Sequence, residues 1–198
     1  MASKELKNIF LSASVPFRDR HEKYYNTADI IAIRDSVIAL ASIVIPNYRL
    51  IWGGHPSITP IIYYVLQKFD ISIQHHIKLY QSKHFEKIFP IENKEFEVVE
   101  ITEDLGDLGS SLNLMRNKML GDNNFEAGIF IGGMDGVEDE FRIFQELNPK
   151  AIILPIASTG AAANIIYEEN IKKFQDEKLK TDYGYMSLFQ ELLIDKIK

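Results

Sequence analysis

Three short segments carry residue types that can hold an anion with the backbone alone. They are Gly53-Gly54-His55-Pro56-Ser57, Gly132-Gly133-Met134-Asp135-Gly136, and Ser158-Thr159 with the following Gly160 and three alanines. Each follows a short apolar run and opens a helical pattern. Glycine lets the backbone come close to a ligand. The first amides of the helix behind it point outward unpaired, and the helix dipole favours negative charge there. A single Gly-Gly turn serves plain turn geometry equally well. Repetition at three strand ends is what points to phosphate. Side chains that can join such a site are Ser12 and Ser14 at the end of the first apolar run, and Arg18 and Arg20 just beyond it. His55 can donate to an anion near neutral pH, and Ser57 can cap its helix and touch a phosphate at once.

These turns need elements that bring them together. Apolar runs at 9–11, 48–52, 72–80, 96–101, 127–131 and 151–154 read as strands. Helical patterns cover 58–68, 108–120 and 137–147, and a long helix starts at an Asn26 or Thr27 cap and ends before Pro46. Residues 81–95 read as loop. Short continuous apolar runs alternating with helices predict an α/β fold, a Rossmann-like doubly wound and mainly parallel sheet with helices on both faces. A mixed-sheet α+β domain is the alternative. In an open parallel sheet the turns fall along one edge, at the carboxyl ends of the strands, where ligands bind. The expected organisation is one domain over 1–198, with a core of about 8–167 and a charged helical tail over 168–198, broken near Asp182-Tyr183-Gly184.

Composition narrows the function classes. A formal net charge of −6 gives no basic footprint for nucleic acid. The absence of cysteine excludes disulfides, thiolate metal sites and a cysteine nucleophile. No secretory leader is visible, and the apolar stretch 28–46 carries Asp29, Arg34, Asp35 and Ser42 inside it, so it reads as a buried helix rather than a membrane span. The expectation is a cytoplasmic protein with no membrane contact and no cofactor. His75 and His76, adjacent in an expected strand, point to opposite faces and cannot share a metal. Glu103, Asp104 and Asp107 read as a solvated acidic turn. Trp52 at a strand end reads as core rather than as a stacking platform.

Further residues suggest a family. Leu50-Ile51-Trp52-Gly53-Gly54, the helix with Met115-Arg116-Asn117-Lys118-Met119-Leu120, and Ile131-Gly132-Gly133-Met134-Asp135-Gly136-Val137-Glu138-Asp139-Glu140 occur in the order and spacing of one group. In these segments, over about 8–167, the chain resembles the Lonely-Guy and SMF group of Rossmann-like domains, the SLOG superfamily. Lonely-Guy enzymes hydrolyse the bond between a base and ribose 5′-monophosphate with an arginine and a glutamate, and the matching positions here are Arg116 and Glu140. Ile131 stands where those enzymes have proline, Val137 where they have threonine, Asn117 where they have lysine, and one residue is inserted before Gly136. Two phosphate contacts are thereby lost, which bears on catalysis more than on binding. Relatives with altered turns are thought to sense nucleotide-derived signals in bacterial conflict and antiviral systems. The resemblance therefore implies a sensor of an ADP-ribose-type nucleotide, homo-oligomeric and coupled to an effector protein, with a phosphoribohydrolase as the alternative and a purely structural subunit as a third. The plain reading of Glu140 is a first-turn glutamate worth ~0.3–1 kcal/mol to its helix. That of Arg116 is a surface arginine, and that of His55 a solvated loop histidine.

Overall fold

The computed structural model describes residues 6–19, 22–69 and 71–197; Arg20 lies outside the described residues. Consecutive apolar residues need cover on both faces of a sheet. Ile9, Phe10 and Leu11 have it: all three are buried in β1 (Asn8–Ser14), an inner strand. The six strands run in the order β4 (Val99–Thr102), β3 (Ile77–Ser82), β2 (Arg49–Trp52), β1, β5 (Phe125–Gly132) and β6 (Ile152–Ile156), and each neighbouring pair is parallel. The register pairs Phe10 with Ile51 on one side and with Gly128 on the other. The chain builds outward from β1 to β4, then returns to the far side of β1 as β5. That reversal opens a crevice between the carboxyl ends of β1 and β5. The fold is Rossmann-like α/β.

Helices complete two layers. After the short α1 (Glu22–Tyr25), α2 (Ile30–Val44) packs against α3 (Thr59–Leu66), and α4 (Leu108–Gly121) against α5 (Asp135–Leu147). The side chain of Asp29 caps α2 by accepting the Ala32 amide at 2.9 Å, two or three residues later than the sequence suggested. Thr27 does another job: its hydroxyl accepts the Ala161 amide at 3.2 Å, where α6 (Ala161–Glu169) begins. Asp107 caps α4 through the Ser110 amide at 2.8 Å.

Two stretches differ from the sequence reading. Residues Ile71–His76 form a 3-10 helix, so β3 begins at Ile77, where pairing with Leu50 starts. His76 is buried with Nδ1 2.6 Å from the Ile45 carbonyl, and the two histidines do not flank a strand. Residues 81–95 are not a simple loop. Gln81 and Ser82 finish β3, and two 3-10 helices follow, Lys83–Ile88 and Ile91–Glu95.

The tail is packed rather than appended. After α7 (Lys178–Thr181), α8 (Tyr185–Phe189) lies on α2, and Leu188, Phe189 and Leu193 are buried. Among the described residues no helix is long and apolar enough to cross a membrane.

Candidate functional site

The crevice at the strand reversal is a cavity of about 610 Å³, within the usual range for small-molecule sites. It is bounded by the end of β1 and the segment after it, the turn at 53–56 after β2, Gln81 of β3, the first turn of α5, one face of α4, and the segment 85–90. Helical spacing puts Leu112, Met115 and Arg116 on the same face of α4 and brings Gly136 and Glu140 together on α5.

A polar cluster forms the floor. Ser12 donates its hydroxyl to Glu140 Oε2 at 2.5 Å. Arg116 Nη1 lies 3.1 Å from Asp139 Oδ2, and Arg116 Nε lies 3.6 Å from Glu140 Oε1. Arg142 pairs with the other oxygen of Asp139. A Cβ at position 136 would come within 2.9 Å of Arg116 Nη2, so the bare glycine is what lets the guanidinium lie on the helix start. Arg116 is 8% exposed, and its Nε has no hydrogen-bond acceptor among the described residues. Arg116 is therefore neither a surface residue nor a free phosphate clamp: two carboxylates already hold it.

Burial pushes the Glu140 carboxyl above the usual carboxylate range, against the opposing pull of the Arg116 charge and the Ser12 hydroxyl. A carboxyl raised toward neutrality is suited to passing a proton. The shift also sets a pH dependence. The folded state holds this proton more tightly than the unfolded chain, so stability falls as pH rises from the unfolded pKa through the raised folded one. We expect Glu140→Gln to remove that decline. Thermal melts of both proteins from acid to neutral pH check it, and parallel curves would show that Glu140 titrates normally.

Of the residues singled out in the sequence, Ser14, Gly53, Gly54, His55, Arg116, Met134, Asp135, Gly136 and Glu140 line the cavity. Ser12 stands behind it and reaches it through Glu140. Ser57 ties strand ends together: its hydroxyl accepts the Val15 amide at 3.1 Å and lies 2.8 Å from His55 Nδ1. Arg18 is exposed beyond β1 and does not line the cavity, whereas its neighbour Phe17 does.

The third turn is placed differently from the expectation. The Gly132 amide donates to Thr159 Oγ1 at 2.8 Å, and the Gly133 amide to the Ser14 carbonyl at 2.8 Å. Both amides are thus used inside the protein. Ser158 Oγ lies 3.1 Å from Tyr185 Oη. Ser158 and Thr159 are buried braces between β5, β6 and α8, away from the cavity wall. The amides that open α5, at Asp135 and Gly136, have no partner among the described residues.

Other lining residues escaped the sequence reading. Gln81 donates its Nε2 to the Gly54 carbonyl at 2.8 Å and so fixes the turn after β2. Phe85, Ile88, Phe89 and Pro90 give the cavity an apolar wall. Their only signal was an apolar run inside a stretch without helical or strand period. Trp52 is buried, with its Nε1 donating to Thr59 Oγ1 at 3.2 Å.

Among curated proteins none matches the chain. The X-ray structure of TM1055, a Northeast Structural Genomics Consortium target, is similar, with a TM-score of 0.51 and 12% identity over 82% of this chain and 81% of that one. At that identity the likeness is one of fold. A family model described as the SLOG cluster3 family matches residues 23–193. The match spans most of the 198 residues, and the chain belongs to the SLOG cluster3 family.

Proposed function

We propose that the chain binds a nucleotide-derived small molecule in this cavity and acts as a sensor of an ADP-ribose-type signalling nucleotide in a bacterial defence or conflict system. The observation that carries the reading is the cavity at the β1–β5 reversal, lined by Gly-rich backbone, a buried arginine, a carboxyl cluster and an apolar wall. The apolar wall suits a base, the carboxyl floor suits sugar hydroxyls, and the Gly53-Gly54-His55 turn offers backbone to a phosphate. Family membership supports the same class. Binding reaches an output through a homo-oligomer or an effector protein. Calorimetry against a panel of nucleotides, ADP-ribose and cyclic ADP-ribose included, tests this. A saturable signal is expected from at least one phosphate-bearing member, and silence across the panel would remove the reading.

A second reading is favoured by one observation, the raised Glu140 carboxyl on the cavity floor. In a nucleoside 5′-monophosphate phosphoribohydrolase, water would replace the base at the ribose carbon, and Glu140 would pass the proton that the leaving base needs, with Arg116 beside it. Incubation with adenosine monophosphate and cytokinin monophosphates, followed by chromatography, separates the two readings. Free base that appears with the wild type and vanishes with Glu140→Ala would establish catalysis.

A further inference from the structure

The segment that carries the apolar wall is held differently from the rest of the molecule. It leaves the sheet at Ser82 and rejoins packed structure at Phe96, both buried. Between them, over 83–95, Asn93 is the one buried residue. Ile88 is 64% exposed and Ile91 75%. The backbone makes two short 3-10 turns joined by the extended pair Phe89-Pro90, and such turns hold poorer hydrogen bonds than an α-helix. Beyond the Ser82 cap, two hydrogen bonds among the described residues tie the segment to other elements. His84 Nδ1 lies 2.9 Å from Asp104 Oδ1, and Tyr63 Oη donates to Glu95 Oε2 at 3.4 Å. Both are exposed, so water competes for them.

The second observation is Asn93 itself. It is 9% exposed, and neither its carboxamide nitrogen nor its carboxamide oxygen has a hydrogen-bond partner. With the segment closed, a donor and an acceptor are stranded away from water, which is costly. With the segment open, both return to solvent. The single residue that this stretch buries therefore opposes its closure.

We infer that 83–95 is a flap that opens as one unit about Ser82 and Phe96 and admits the ligand to the cavity past Phe85 and Phe89. The stranded Asn93 carboxamide keeps the closed form close in free energy to the open one. Gating of this kind holds whatever molecule the cavity takes.

The chain has no cysteine. A single one placed by Met115→Cys, at a buried position on the cavity wall, reports entry through its rate of reaction with a maleimide. That rate and peptide-resolved hydrogen exchange are measured on the full chain, alone and with Asn93→Leu or Asn93→Asp added, and circular-dichroism melts check folding. Asn93→Leu removes the stranded group and should slow labelling, and exchange across 83–95, by roughly tenfold. Asn93→Asp buries a charge and should speed both by at least as much. Exchange of β1 and β5 should stay unchanged, which separates flap opening from loss of the whole fold. Equal labelling rates in the three backgrounds, or faster opening with Asn93→Leu, would overturn the inference. Should Asn93→Leu fail to fold, the Asn93→Asp arm decides alone: exchange over 83–95 that does not rise ahead of β1 and β5 overturns it equally. No nucleotide enters these measurements, so their failure leaves the nucleotide reading to calorimetry.

Discussion

Arg116→Ala should destabilise the folded chain by about 3 kcal/mol at neutral pH, the scale for removing one partner of a buried ion pair. The physical reason is the company that the guanidinium keeps. Asp139 retains Arg142, but Glu140 has no other cation in its reach among the described ion pairs. Without Arg116 the enclosed Glu140 charge faces only the Ser12 hydroxyl. The loss should therefore shrink in acid, where Glu140 takes a proton. Urea denaturation at neutral and acid pH checks this, and an equal loss at both would show that packing, not charge, is responsible. Adding Glu140→Gln to Arg116→Ala should restore much of the stability at neutral pH, since the double variant strands no charge.

Gly160→Ala is expected to be the most damaging single methyl in the protein. Gly160 has φ of 69° and ψ of −157°, a region open essentially to glycine alone. A Cβ there would stand 1.8 Å from the Thr27 carbonyl oxygen and 2.7 Å from its carbon, both backbone atoms that cannot rotate away. The turn holds the start of α6 against the start of α2, through Asp29 N–H to the Thr159 carbonyl at 3.1 Å and Ala161 N–H to Thr27. Strain and overlap together should cost about 4 kcal/mol or more, a large part of a typical folding free energy. Gly106→Ala is the matched control. It has φ of 88° and nothing within 4 Å of an added Cβ, so strain alone, ~1–2 kcal/mol, is expected. Thermal melts of the pair should rank Gly160→Ala far below Gly106→Ala. Similar losses would mean that the contact with Thr27 yields easily.

How much could be read from the chain depended on whether a signal was local. The strands β1, β2, β5 and β6 stand out because each is a dense apolar run ended by glycine, proline or a small polar residue. The start of β3 does not, because Ile71–His76 has no clean period and only pairing with Leu50 fixes where the strand begins. The wall at 85–90 was illegible for a related reason: 3-10 turns leave no amphipathic repeat to detect. The floor was half legible. Arg116 and Glu140 were suggested by motif position, but the Ser12–Glu140 bond joins residues 128 apart and no spacing rule reveals it. Ser158 and Thr159 show the converse difficulty. A hydroxyl beside glycine suits a ligand's phosphate and a buried amide equally well, and here Thr159 serves the amide of Gly132.

The packed tail has a consequence for how the chain is made. β1 pairs with β5, whose first residue is Phe125, and the cover on α2 comes from α8, which starts only at Tyr185. A ribosome delivers the N-terminal segments long before either partner exists. The apolar side of α2 that α8 will cover stays open to water and to other nascent chains until synthesis has passed residue 189. Slow, non-local closure of this kind invites aggregation during translation. Yield in the cell should accordingly respond to chaperone supply and growth temperature more than the finished fold would suggest.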